Sequence, residues 1–200
     1  MLESIPDSYV TRLNLEKIFR RVAPLHVDLG CGEGSFLCAL AERHPDENFL
    51  GIERVSRRAI KACRRARALE NVRVLHLDTL YALRCLFPES SVAVFYLLFP
   101  DPWPKRRHNQ RRLVTIDFLT AIEVALEQDG IFRIATDHLD YFRRIERLLE
   151  LAHLERSSCS SLEVLPSDHI ELPLSKFERR FRDAGAPIYR LVLRKTSRVT

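Results

Sequence analysis

Asp101 is the residue of this sequence most constrained to do chemistry. It stands in the string Phe99-Pro100-Asp101-Pro102-Trp103-Pro104-Lys105-Arg106-Arg107-His108. Each of the three prolines fixes φ, removes a backbone donor and pushes the preceding residue out of the helical region. A carboxylate is thereby presented on a stiff loop. The loop follows Val92–Leu98, an apolar run short enough to be a strand buried on both faces of a parallel sheet, and open α/β sheets bind ligands at such carboxyl ends. Five of the eight residues from Lys105 to Arg112 are Lys or Arg. Without these five, the chain's 32 basic and 27 acidic residues become 27 and 27. The net positive charge is thus assigned to this octet, a patch suited to a phosphate backbone. A solvated loop anchored by Trp103 is the plainer reading.

A second group of acids is spaced for a nucleoside. In Val27-Asp28-Leu29-Gly30-Cys31-Gly32-Glu33-Gly34 the glycines let the backbone approach a ligand closely between a strand and a helix. Glu53 closes the next strand, where a carboxylate can accept from a ribose diol, and Asp78 closes the third. A dinucleotide fingerprint would have glycine at position 35, and this chain has Ser35. The spacing therefore favours S-adenosylmethionine over NAD, with Asp28 facing the cationic sulfonium or amino group. The alternative is that Gly30 and Gly32 only make a tight turn and that Glu53 pairs with Arg54 or Arg57.

These residues need a scaffold that ends strands on one edge. Strands are predicted at 25–29, 49–52, 72–77, 92–98 and 131–135, and helices at 14–21, 35–43, 56–69 (Ser56 as N-cap), 80–86, 116–126 and 139–152. Strands and helices alternating at roughly 20 to 25 residues per unit predict a doubly wound, mostly parallel α/β sheet. The last third changes character: strand-like 162–165, helical 175–182 and weakly alternating 188–193, the last adding an antiparallel edge strand or hairpin. With 46% apolar and 30% charged residues over 200 positions, a single domain with a real core is expected. Met1 to Lys17 shows no signal-peptide core and no stretch reaches membrane-spanning length, which predicts a cytoplasmic protein without membrane association. The five cysteines include no Cys-x-x-Cys pair, so neither a disulfide framework nor a metal site is expected.

Taken together, the loop Gly30–Gly34, Gly51-Ile52-Glu53, Phe99–His108 with Arg111-Arg112, Ala135-Thr136-Asp137 with Tyr141, and Ser175-Lys176-Phe177-Glu178 resemble, in order, the bacterial tRNA (guanine-N7)-methyltransferase family. The match spans residues 27 to 193. The resemblance implies a Rossmann-like class I methyltransferase domain over residues 1–200, with an N-terminal arm to 24, a cofactor-binding core to 153 and a C-terminal substrate-binding segment. It implies methyl transfer from S-adenosylmethionine to N7 of a guanine in the tRNA variable loop. By position, Asp28, Gly30, Gly32, Gly34, Glu53, Asp78 and Asp101 would bind cofactor, Asp101 being also the catalytic residue. Lys105, Asp137, Ser175, Lys176, Phe177 and Glu178 would bind substrate, and Arg106, Arg107, Arg111 and Arg112 would meet tRNA phosphates. Three positions depart from the family pattern: Asp28 for Glu, Ser175 for Thr and Phe181 for Gly.

Guanine N7 carries an in-plane lone pair, so attack on a sulfonium methyl needs placement more than a base. Asp101 is then an orienter or charge stabiliser. Trp103 and Tyr141 are candidates to stack on an extruded base. The basic helix with Arg57, Arg58, Lys61, Arg64, Arg65 and Arg67 reads as a partly solvated face with cations pointing all round. Transfer to another RNA or a small molecule, and RNA binding without catalysis, are the alternatives to test.

Overall fold

The computed structural model describes residues 10–103, 112–155, 161–166 and 171–196. The chain runs α1 (Leu15–Phe19), β1 (Leu25–Leu29), α2 (Ser35–Arg43), β2 (Asn48–Ile52), α3 (Ser56–Arg65), β3 (Val72–Leu75), α4 (Thr79–Tyr81), β4 (Val92–Leu98), α5 (Ile116–Ala125), β5 (Leu126–Thr136), α6 (Leu139–Glu155), β6 (Leu162–Leu165), α7 (Lys176–Asp183) and β7 (Tyr189–Lys195). The strands form one sheet in the order β3-β2-β1-β4-β5-β7-β6. The first five are parallel, with Val27 opposite Leu50 on one side and Phe95 on the other. The strand order reverses between β1 and β4, which opens a crevice at their carboxyl ends. This is the doubly wound α/β sheet expected from the alternation. The C-terminal addition is antiparallel as expected, but it is two strands: β7 pairs with β5 and lies inside the sheet, and β6 takes the edge.

The central strands are buried on both faces, as their unbroken apolar runs demand. Val27, Phe49, Leu50, Phe95 and Phe132 are all fully buried. Successive residues alternate between faces, so Leu50 joins the cluster with Phe118 and Ile145 while Phe49 joins the one under α2 and α3. Each such burial is worth roughly 1.5–3 kcal/mol. No described helix is long and apolar enough to cross a membrane.

Several local expectations change: the helix expected at 80–86 is α-helical only over Thr79–Tyr81, that at 56–69 ends at Arg65, and the strand expected at 72–77 ends at Leu75. Ser56 is the first residue of α3 rather than its cap: Val55 holds the cap position without a side-chain bond. The Val55 N–H is bound by the Glu53 carboxylate (2.7 Å), so an acid at the end of β2 fixes where the helix starts. Strand β5 begins at Leu126, before the predicted 131, because a bulge opposite β4 absorbs the extra residues, with Asp129 at φ 61°.

Candidate functional site

The glycine turn is built by hydrogen bonds to the end of β2. Gly30 and Cys31 N–H both donate to the Ile52 carbonyl (2.8 and 2.9 Å), and Gly32 N–H donates to Glu53 Oε2 (3.0 Å). Gly30 and Gly32 have φ of 84° and 57°, and a Cβ at either would meet nothing within 4 Å. Backbone conformation, with open space beside it, is what requires glycine there. The tight turn and the exposed backbone are thus one feature. Gly34 does something else: at φ 73° it caps α2 and lies 3.0 Å, measured from an ideal Cβ, from Ala62 of α3. It packs two helices rather than lining the cavity.

That cavity, of about 1170 Å³, lies over the carboxyl ends of β1 to β4. Asp28, Gly30, Gly32, Glu53 and Asp78 line one part, and Phe99, Pro100, Asp101 and Trp103 another, with Ser175, Lys176 and Phe177 brought in from α7. Glu53 is buried and spends one lone pair of each oxygen on the Gly32 and Val55 N–H groups, not on Arg54 or Arg57. Asp78 caps α4 with one oxygen, accepting from Tyr81 N–H at 3.0 Å. Asp28 is only 3% exposed. Burial, and then the charge of Glu53, push its carboxyl up to about 7. A buried carboxylate with space above it is a place for a cation.

The proline loop is held in strain. Phe99 and Trp103, on either side of Asp101, have φ of 54° and 40°, each costing on the order of 1 kcal/mol in a side chain other than glycine. Phe99 N–H donates to the Ala135 carbonyl (2.7 Å), and its ring lies 5.3 Å from that of Phe181. Arg112 is turned onto the loop and not out to solvent anions: Nε donates to the Pro102 carbonyl (2.8 Å), Nη2 to that of Trp103 (3.2 Å), and the guanidinium covers the Tyr141 ring. Tyr141 is fully buried with its hydroxyl accepting from Val114 N–H (3.3 Å). It supports the loop and does not reach a base, which overturns the stacking expectation. Asp101 itself is exposed.

At α7, Ser175 caps the helix by accepting from Glu178 N–H at 3.0 Å. The Glu178 carboxylate does not line the cavity. Its Oε1 accepts from Arg182 Nε and Nη2 (3.1 and 2.7 Å) and from Arg190 of β7. Phe177, by contrast, is 44% exposed at the cavity. Asp137 lies at the end of β5 outside the cavity, and the His138 N–H beside it is taken by Thr136 Oγ1. Lys105, Arg106, Arg107, His108 and Arg111 lie outside the described residues. Sequence reasoning missed Arg58 and Arg180, which line the cavity, and the reason for Gly51. An ideal Cβ on Gly51 would lie 2.7 Å from Cys31 Sγ and 2.8 Å from Leu37 Cδ2; a glycine inside a strand is the signal for such an approach.

Comparison with known proteins agrees with this geometry. A family profile described as "Putative methyltransferase" matches residues 22–191. A tRNA (guanine-N(7)-)-methyltransferase of Leifsonia xyli subsp. xyli is 38% identical over 186 residues, covering 91% of this chain and 81% of that protein. The chain belongs to the tRNA (guanine-N7-)-methyltransferase family. The family member of Thermotoga maritima is 35% identical over 190 residues, and the chain, 94% covered, spans only 59% of its length. A solved antibiotic-resistance methyltransferase, Kmr, superposes with a TM-score of 0.61 at 14% identity over 92% of each chain, a likeness of fold.

The departures from the tRNA (guanine-N7-)-methyltransferase pattern are accommodated locally. Ser175 keeps the hydroxyl that caps α7. Phe181, in place of glycine, supplies the ring against which Phe99 rests. Asp28 keeps the charge at the end of β1, one methylene shorter, in a buried position.

Proposed function

We propose that this chain transfers a methyl group from S-adenosylmethionine to N7 of a guanine in the variable loop of tRNA. One observation carries the reading: a single cavity joins the acids of β1, β2 and β3 to the loop of Asp101 and Trp103. When bound, S-adenosylmethionine supplies an electrophilic methyl group on a positively charged sulfur. The residues present fit it. Asp28 is a buried carboxylate whose ionised form a cation would stabilise, Gly30 and Gly32 leave backbone open to the cavity, and Glu53 and Asp78 each keep lone pairs for hydroxyl or amino donors.

On the acceptor side, Asp101 can accept from guanine N1–H and the 2-amino group together, or stabilise positive charge growing on the purine. No proton needs to leave N7 first, so alignment is the main contribution, worth about 7–11 kcal/mol in favourable cases. Trp103 and Phe177 offer apolar faces to an extruded base. Lys176 and Lys105 would hold acceptor phosphate, with Arg106, Arg107 and Arg111. Arg112, Ser175 and Glu178 act at one remove, by fixing the loop and α7.

The test is transfer of labelled methyl to unmodified tRNA transcripts with and without a variable-loop guanine. Label should require that guanine and map to its N7. Asp101→Ala should lower the single-turnover rate by about 100-fold or more, by analogy with the loss of one transition-state contact, with little change in melting temperature because Asp101 is exposed. Label that ignores the guanine, or an active Asp101→Ala, would refute the assignment.

A further inference from the structure

We propose that the outward face of α3, joined to Lys176 of α7, is a track for the phosphates of the RNA whose base enters the cavity; the inference rests on the acceptor proposed above. Between residues 54 and 67 the sequence has seven Lys or Arg and no Asp or Glu. The chain's positive excess is therefore not confined to the octet after the proline loop. Helix α3 seats on the core through Ala59 and Ala62, with Ala66 just beyond its end. These short side chains, three and four apart, take the inward stripe, with half-buried Cys63 beside them. Arg57, Arg58, Lys61, Arg64, Arg65 and Arg67 are all exposed and share the outer surface, which corrects the expectation of cations scattered all round.

Only Arg64 and Arg65, in the last turn, complement the dipole of the helix. Like charges three and four apart repel, and Arg57 and Arg58 in the first turn oppose the helix dipole. Glu33 is the acid that meets the surface among the described residues: its carboxylate bonds Lys61 Nζ at 2.7 Å and lies 3.7 Å from Lys176 Nζ, while Arg65 donates to its carbonyl. Glu33, Lys61, Arg64 and Arg65 line a depression of about 470 Å³. Glu33 also lines the main cavity, as do Arg54 and Arg58. Basic side chains are thus placed from the cavity mouth along the exposed side of α3. One carboxylate against four cations leaves a local excess that a polyanion would neutralise, and neutralisation releases its counterions.

The experiment is equilibrium binding of tRNA transcripts to the full chain at several salt concentrations, with methyl transfer measured in parallel. The variant Arg57→Ala/Arg64→Ala/Arg67→Ala avoids every residue lining the main cavity. It should bind tRNA about 10-fold or more weakly, with the slope of log K against log salt smaller by about 2, at roughly 0.7–0.9 per phosphate contact. Its affinity for S-adenosylmethionine and its circular dichroism should match the wild type. Arg57→Lys/Arg64→Lys/Arg67→Lys, which keeps every charge, should restore binding. Unchanged tRNA affinity and slope in the folded alanine variant would overturn the track, as would an equal loss in the lysine variant. If the wild type methylates no tRNA, the acceptor reading fails, and the binding arm still decides the surface on the same criteria.

Discussion

Asp28 carries the most directly testable chemistry at the scale of single residues. Its carboxyl ionises near pH 7 in the fold, because of burial and then Glu53, against about 3.9 in an unfolded chain. Between those values the folded state holds one proton more, so stability of the unliganded protein falls as pH rises from about 4 to 7 and levels off above. At about 1.4 kcal/mol per unit the effect is a few kcal/mol. Thermal melts across this range should show the fall in the wild type and lose it in Asp28→Asn; an unchanged slope in the variant would assign it elsewhere. Cofactor binding should run the opposite way. The ionised carboxylate attracts a cation, so affinity for S-adenosylmethionine rises through pH 7 and becomes weak and flat in Asp28→Asn.

Whole elements are positioned by few contacts, and two of them can be cut cleanly. Glu178 ties α7 to β7 through Arg190 and to its own next turn through Arg182. The arginines are about half exposed, so Glu178→Ala should cost only about 1–2 kcal/mol after solvent screening. The larger effect should be on KM for tRNA, since Lys176 and Phe177 ride on the same helix, with kcat at saturation little changed. Glu178→Gln keeps an acceptor and should recover part of the loss; a KM equal to wild type in Glu178→Ala would show that α7 holds without this anchor. At the other end of the cavity, Gly51→Ala drives a methyl against Cys31 and Leu37. Overpacking of this kind costs about 1–3 kcal/mol and should weaken cofactor binding by displacing the turn. Adding Cys31→Ala removes the Sγ at 2.7 Å, so the double variant should melt higher than Gly51→Ala alone.

At the scale of the molecule, the cavity is lined from Asp28 through Arg180, across the carboxyl ends of β1 to β4 and α7, so occupancy should be read as global stability. S-adenosylmethionine at a hundred times its Kd should add about 2.7 kcal/mol, raising the melting temperature by roughly 5–10 °C for a chain of this size. NAD should give no shift. An equal response to both would return the cavity to the dinucleotide alternative that Ser35 argues against.

The parallel strands and the acids at their ends are legible in the chain, because apolar runs, proline and glycine act on their own neighbours. Asp28, Glu53, Asp78 and Asp101 are expected at the carboxyl ends of successive strands, and the structure has all four on one cavity. The helix expected at 175–182 is there as Lys176–Asp183, with Ser175 as its cap rather than its first residue. Long-range packing settles the other features. Tyr141 is a buried support and Arg112 a loop clamp because each meets partners from another part of the chain, at Val114 and at Pro102. β7 lies inside the sheet because its ladder forms with β5, more than fifty residues earlier, in pairs such as Leu193 with Phe132. The arginines of α3 share one surface because three alanines pack inward, and composition alone does not say which stripe of a helix the core will take.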